Sequence, residues 1–490
     1  MAFLLYGVAS PALAQAPTVS LRPTLKPADA VKATATPAGR LVEKAALGGQ
    51  VSFAVADAVT GEMLETRTPL TPHPPASVVK AITTLFALKT LGPGHRFRTC
   101  VMATGPMENG VVKGDLVLTG TGDPTLDTDD LFAMAKQLKE IGLREVTGSF
   151  QYYDAALPHV AQIDAGQPEH LGYNPAIGGL NLNFNRIYLE WKRQADAYRV
   201  VMEARALTVR PGVTVAATRV VDRRAPVFDY KFEAGREVWS VARGALGKEG
   251  GRWLPTRAPG PYAADVFRTL ARSTGLQLGT PVALDAKPTG KLLVEHVSED
   301  LAQICRGMLR YSTNLTAEVV GLSASQDINA NPSDLPASGA AMSDWLSAEY
   351  GLNKAALIDH SGLGDGSRLS AQEMVKILVG DGPQGLLRGL LKPFAIKGPD
   401  GGISINGPVQ VAAKTGTLNF VSGLGGFIKT ASGRTLAFAI FTSDMPRRET
   451  LTKAQRERPR GGRAWAGRAR TLQRDLIDRW ATIYDGSKQG

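Results

Sequence analysis

Cysteine, histidine and long apolar runs are all scarce in this chain, and each scarcity excludes something. Two cysteines among 490 residues, Cys100 and Cys305, are too few for a disulfide scaffold or a cysteine-built zinc site. So widely separated, they read as two buried thiols. The six histidines show no HExxH or similar spacing, which leaves no pattern for a metal centre. No stretch approaches eighteen consecutive apolar residues, so no spanning helix is expected and the mature chain should be soluble.

Excess charge is also thin outside one region. The formal net charge is +11, but twelve Lys or Arg against five Asp or Glu fall from Met445 onward. The remaining 444 residues carry only +4. A near-neutral body with a basic tail argues against a nucleic-acid partner. What is present is ordinary globular composition, 43% hydrophobic and 21% charged, which excludes a disordered, collagen-like or coiled-coil chain. The length predicts two or three domains.

Residues 1–16 read as an export signal without its positive n-region: Phe3 to Ala9 is apolar, and Ala12-Leu13-Ala14-Gln15-Ala16 offers small-x-small cleavage sites. The Ala-, Pro- and Thr-rich stretch 17–44 reads as a linker. From Gln50, alternation predicts a β-hairpin, Val51–Val55 with Glu62–Thr66. Pro74-Pro75 then stops the extended chain, and a helix opens at Ser77. The segment 96–291 reads as short β-rich stretches around a helix at Asp129–Ile141. A helix is expected from an N-cap at Ser298, with Cys305 on its apolar stripe, and another from near Asn314. Strands follow at Val409–Ala413, Gly426–Lys429 and Thr435–Phe441, and a final helix at Trp465–Ile483.

Three short motifs carry chemistry. Ser77-Val78-Val79-Lys80 places a lysine amine one helical turn from a serine hydroxyl at the positive end of a helix. A desolvated lysine beside another cation can lose its proton and act as a base. Ser312-Thr313-Asn314 could relay a proton and hold a carbonyl, or could simply cap a helix. Lys414-Thr415-Gly416-Thr417 ends a strand run: the glycine would let a ligand approach, Lys and Thr would hold a carboxylate, and the N–H groups of Thr417 and Ser77 could form an oxyanion hole. Each motif alone is weak. A rival Ser404-Ile405-Asn406 lies too near Lys414 to furnish an opposite wall.

In the order SxxK, SxN, KTG the trio resembles the signature of penicillin-recognising serine enzymes. The 235 positions from Ser77 to Ser312 narrow the resemblance to the class C low-molecular-mass penicillin-binding proteins, the D-alanyl-D-alanine carboxypeptidase/endopeptidase family. Gly114 to Leu126 resembles that family's GDLxLxGxGDPTL run, read as turns rather than a phosphate loop. Asp359-His360-Ser361-Gly362-Leu363 resembles its D-G-S-G-L run, but Gly364-Asp365 follows, with Arg368 displaced, where the family usually has Ser-Arg. Asp154 matches a family aspartate that can contact the substrate's amine end, and reads equally well as a turn residue.

The resemblance implies an α+β fold: a penicillin-binding-protein/β-lactamase-like transpeptidase core, with a five-stranded antiparallel sheet and helices, interrupted by a β-rich insertion. Residues 45–95 and 292–445 would form the catalytic domain, 96–291 the insertion outside it, and 446–490 a basic segment ending in a helix. It implies Ser77, Lys80, Ser312, Asn314 and Lys414 as catalytic residues. Thr415, Gly416, Thr417 and Asp154 would bind substrate. Peptidoglycan stem peptides would be the substrate and β-lactams covalent inhibitors, with no cofactor or metal, in the periplasm. The basic tail is expected to be largely solvated, any contact being with the anionic envelope. The alternatives are a cell-wall binding or scaffold protein with a vestigial site, and a β-lactamase or esterase on the same scaffold.

Overall fold

The hydrophobic alternation after residue 50 produces the strand Gln50–Asp57, which turns at Asp57 and returns as Met63–Arg67. The Asp57 carboxylate closes that turn by accepting from the N–H groups of Val59 and Thr60 (2.8 and 2.9 Å). In the computed structural model, which describes residues 35–397 and 402–486, this hairpin joins strands from the far end of the chain. The five-stranded order is Gln410–Leu418, Val421–Lys429, Thr435–Ser443, Gln50–Asp57, Met63–Arg67, antiparallel throughout. The expected export signal and the linker up to residue 34 lie outside the described residues.

Both faces of this sheet are covered. One packs on the helices Val79–Thr90, Leu301–Tyr311, Asn314–Asp327, Leu335–Tyr350 and Ala371–Asp381, which share one apolar core with it. Cys305 sits in that core, and neither cysteine is bonded. The other face is closed by two helices from opposite ends of the chain, Ala38–Ala45 and Gly462–Ile483. Trp480 seals this layer: it is fully buried, meets Phe53 edge-on at 5.5 Å and Phe438 at 6.0 Å, and donates from its indole to Glu65 (3.2 Å).

Four expectations need correction here. Residues 38–44, expected as the end of the linker, form the helix Ala38–Ala45 and belong to the core. The basic tail is folded, because its arginines find partners in distant segments. Arg448 is buried against Asp365 (2.8 Å), Arg468 donates to the Ala45 and Ala46 carbonyls, and Arg479 meets Glu65. The helix after residue 298 is capped by Asp300, which accepts from Gln303 N–H (2.9 Å). Ser298 instead accepts from Phe97 N–H (2.9 Å). Finally, residues 292–297 belong to the insertion, since the strand Lys291–Val297 pairs with Arg98–Ala103.

That pairing brings the two ends of the insertion together. Its main sheet runs Val282–Ala283, Phe150–Tyr153, Leu116–Gly120, Arg98–Ala103, Lys291–Val297, backed by the helices Thr128–Glu140 and Pro259–Ser273. Three three-stranded sheets accompany it. The insertion is not wholly outside the catalytic unit, however: Leu157, Ile163 and Ile177 pack into the helical core. Their loop carries the insertion to the edge of the cleft.

If the tail helix is part of the core, Trp480→Ala should destabilise the protein by about 3–5 kcal/mol, the usual cost of truncating a buried tryptophan. Chemical denaturation should show this; an unchanged midpoint would mean the helix only rests on the sheet.

Candidate active site

Three segments distant in sequence meet at the free edge of the five-stranded sheet. The first begins at Pro74-Pro75, where Ala76 takes a left-handed conformation (φ 46°) and the chain makes one 3₁₀ turn, Ala76–Val78, into the helix Val79–Thr90. This turn presents Ser77 half-exposed at the helix start, while Lys80, one turn on, is fully buried. The Lys80 Nζ lies 2.9 Å from Ser77 Oγ, 2.8 Å from Asn314 Oδ1 and 2.6 Å from the Ser361 carbonyl.

The second segment is the junction of helices Leu301–Tyr311 and Asn314–Asp327. Ser312 ends the first in a left-handed conformation (φ 59°), rare for a serine, and its Oγ accepts from Lys414 Nζ (2.9 Å). Asn314 opens the second helix; its side-chain oxygen takes Lys80 and its Nδ2 donates to the Tyr173 carbonyl of the insertion (2.9 Å).

The third segment is the edge strand Gln410–Leu418. Backbone groups alternate along a strand, and the Ala413 N–H and Val411 carbonyl point off the free edge to Lys392 and Phe394. By that alternation Thr415 and Thr417 also face outward, as the 2.7 Å bond from Lys414 Nζ to the Thr415 carbonyl shows. The Thr417 N–H therefore faces the cleft. Gly416 serves a different purpose from the one expected: a Cβ there would stand 2.7 Å from the Pro75 carbonyl and 3.0 Å from Ser77 N. Only glycine lets the strand lie against the serine turn. Gly362 (φ 69°) has the same function opposite, where a Cβ would meet the Ala76 carbonyl at 2.0 Å.

Burial sets the electrostatics. Desolvation lowers the Lys80 pKa, and Glu318 and Asp359 oppose it. Lys414, also buried, is pushed well below its ordinary value by desolvation, then by Lys80 and Lys392. Glu318 and Asp359 lie beneath the lysines as buried acids, both shifted upward by burial. The Glu318 carboxylate accepts from the N–H groups of His360 and Ser361 (2.9 Å each), and Asp359 from those of Gly362 and Gly364 (2.9 Å each). They fix the loop whose Ser361 carbonyl holds Lys80.

The cavity above this site has a volume of about 920 Å³, and Ser77, Ser312, Asn314 and Thr417 line it. Lys80 and Lys414 lie buried behind them. Thr415 is half-buried and contributes its carbonyl. Asp154 does not line the cleft; its half-buried carboxylate lies against Gly260 in the first turn of the helix Pro259–Ser273, so its expected contact with substrate is not supported. Glu318 went unnoticed in sequence, although an acid four residues after Asn314 in an apolar helix was a usable signal. Tyr173 and Arg448 gave none, because only the tertiary fold brings them here.

A buried Ser–Lys pair, a second serine on a second lysine and an edge-strand N–H together define the penicillin-recognising active-serine enzymes. The chain matches the D-Ala-D-Ala carboxypeptidase 3 (S13) family over residues 38–463 and belongs to that family. It is 30% identical over 472 residues to a D-alanyl-D-alanine carboxypeptidase of Actinomadura sp. (strain R39), covering 88% of this chain and 83% of that one. It is 24% identical to D-alanyl-D-alanine carboxypeptidase DacB of Haemophilus influenzae, covering 78% and 82%. The crystal structure of penicillin binding protein 4 (dacB) from Haemophilus influenzae has the same fold, with a TM-score of 0.71 at 22% identity over 90% of this chain and 99% of that one. A second structure of that protein, complexed with a novel beta-lactam, superposes with a TM-score of 0.69.

Gly416→Ala should leave the fold intact but push the serine turn away from the strand. A displacement near 1 Å can cost about 100-fold, so penicillin acylation, followed by intact-protein mass spectrometry, should slow by at least that factor. An unchanged rate would show that the close approach is dispensable.

Proposed function

We propose that the protein removes the terminal D-alanine from peptidoglycan stem peptides, or cuts their cross-links, through an acyl-enzyme on Ser77. The observation that carries this reading is the set of partners around Lys80. Asn314 Oδ1 and the Ser361 carbonyl can only accept, whereas the Ser77 hydroxyl can also donate. A neutral Lys80 therefore keeps its two hydrogens on those acceptors and turns its lone pair toward Ser77. The amine is thus aimed to take the hydroxyl proton as Oγ attacks the carbonyl of the penultimate D-Ala.

The oxyanion would rest on the N–H groups of Ser77 and Thr417. As the C–N bond breaks, Ser312, backed by Lys414, passes its hydroxyl proton to the leaving amine and is reprotonated by the proton that Lys80 took from Ser77, which leaves Lys80 neutral again. Lys414 with Thr415 and Thr417 receives the substrate's terminal carboxylate, and the free N–H of Asn314 Nδ2 orients its amide. Water, deprotonated by Lys80, then hydrolyses the ester. β-Lactams would enter as covalent inhibitors, since they offer a carboxylate and a strained amide to the same groups. Such a substrate lies outside the cytoplasmic membrane, and we place the enzyme in the periplasm, exported by residues 1–16. Among the described residues no helix is long and apolar enough to cross a membrane. Peripheral contact with the anionic envelope would fall to Arg460 and Arg470, which are exposed.

Fluorescent penicillin should label the protein, and Ser77→Ala should abolish labelling; an adduct on folded Ser77→Ala would overturn the assignment. Lys80→Ala should slow acylation by about 10²–10⁴-fold, while Lys414→Ala should chiefly weaken capture. Rapid turnover of penicillin would favour the β-lactamase alternative, and no adduct at all a vestigial site.

The base must be neutral, and burial lowers the Lys80 pKa from 10.5. Acylation should therefore rise with pH and level off below that value. A flat pH profile would remove Lys80 from the role of base.

A further inference from the structure

A second cavity opens between the insertion and the tail, and the reaction does not use it. Its volume is about 580 Å³, within the range of small-molecule sites. The insertion contributes Trp191, Phe228 and Arg252 to it, and the tail closes it with Ala454, Glu457 and Arg458. Glu457 and Arg458 also line the cavity above Ser77, so the two spaces share a wall.

Apolar surface in this second cavity is left uncovered. Val227 is 40% exposed, and Trp191 and Phe228 beside it are only half-buried. Trp191 stands on the strand Arg186–Gln194, opposite Gly250 of the neighbouring strand Glu249–Pro255. A Cβ at 250 would stand 2.5 Å from Trp191 Cζ2, so only glycine lets the indole lie across that strand. Among the described residues no ring or cation stacks on the indole. Phe228, by contrast, is occupied. His170 stacks on it with the centroids 5.1 Å apart, and the Arg252 guanidinium lies 4.8 Å from its centre.

The polar groups are held in a fixed arrangement around these rings. Glu457 meets Arg252 with one carboxylate oxygen (3.3 Å) and His170 with the other (3.1 Å). Arg252 has more N–H groups than this pairing uses, and Arg458 is exposed. An open aromatic face beside fixed donors suits a sugar ring. The C–H face of a pyranose packs on the aromatic plane, and its hydroxyl and acetamido oxygens accept the hydrogen bonds.

Direction along the edge strand says which sugar would arrive. Lys414 and Thr415, proposed for the terminal carboxylate, come first, then the oxyanion donor Thr417, then Asn419. Asn419 Nδ2 donates to the carbonyl of Arg456, the residue before Glu457. A peptide with its carboxylate at Lys414 and its scissile carbonyl at Thr417 therefore sends its acyl half toward the shared wall. A peptidoglycan stem peptide is joined at its N-terminal end to the N-acetylated amino sugars of the glycan strand. The end that crosses the wall is the end that carries the sugar.

We propose that the cavity between insertion and tail is a saccharide subsite. Trp191 stacks on an N-acetylated amino sugar of the strand that bears the scissile stem peptide, and Arg252 and Arg458 donate to its oxygens. Stem peptides still attached to glycan are then preferred over free peptides. The inference rests on the peptidase reading above.

The test uses the full-length protein and one stem peptide ending in D-Ala-D-Ala, prepared in two forms. One is N-acetylated; the other carries the N-acetylglucosaminyl-N-acetylmuramyl disaccharide at the same end. Neither has a charged amine there, so the sugar is the difference. Release of D-alanine should give a kcat/KM about 10-fold higher for the conjugate, the scale of one aromatic stacking contact with one net hydrogen bond. The gain should lie in KM, because the sugar touches no reacting atom. In Trp191→Leu the ratio should fall to within about 2-fold of unity, whereas Trp191→Phe, which keeps a ring, should retain most of it. Penicillin acylation of Ser77 checks that each variant is folded. Should Trp191→Leu not fold, Ala454→Trp, at an exposed position on the rim, obstructs the cavity and should lower the ratio in the same direction. Equal kcat/KM on the two substrates in the wild type, or a gain that survives these substitutions, would overturn this inference alone. No turnover of either substrate would sink the peptidase reading and this inference with it.

Discussion

Everything at the centre of this protein is arranged around one buried amine. Lys80 has no access to water, and its three partners come from its own helix, from the helix at Asn314 and from the loop at Ser361. Such a group is tolerated only when its hydrogens are satisfied. Satisfying them draws three regions of the chain to within 3 Å of one nitrogen. The acids Glu318 and Asp359 add charge balance, and the glycines at 362 and 416 allow the backbone to approach so closely. Architecture and reactivity have the same cause here, since the burial that lowers the lysine's pKa also demands the surrounding scaffold.

The two regions that seemed peripheral to the catalytic unit both take part in it. The insertion supplies the Tyr173 carbonyl to Asn314 and apolar side chains to the helical core. The tail supplies Trp465 and Trp480 to the back of the sheet and four arginines to the cleft. Glu457, held by Arg252 and His170, joins one to the other. The cleft is therefore bounded by the sheet, the helices, the insertion and the tail together.

Much of this was legible in sequence where the signal is local. The i, i+3 spacing of Ser77 and Lys80, the hairpin at 50–67 and the stripe through Cys305 follow from periods of 3.6 and 2. The three motifs gave the centre of the site. What could not be read depends on partners far along the chain. Ser298 and Asp300 are both good caps, and the choice was made by Phe97, whose N–H takes the serine. The arginine-rich tail has the composition of a solvated segment, but Asp365, Glu65 and the Ala45 carbonyl engage it. Gly416 was expected to let a ligand approach the strand, whereas in the structure it is the Ser77 turn that lies against it.

The strand order carries a further consequence for biosynthesis. Gln50–Asp57 leaves the ribosome early, but its neighbour Thr435–Ser443 follows roughly 380 residues later, and the helix bearing Trp480 later still. At about 5–20 residues per second the gap is roughly 20–80 s. During that interval the first hairpin has an unpaired edge, and the strand that lies against the Ser77 turn does not yet exist. A partly made chain thus carries Ser77 and Lys80 without Lys414 or the Thr417 N–H. The hydrolytic site is assembled only when almost the whole polypeptide has been synthesised, so the order of synthesis itself keeps the nascent chain inert.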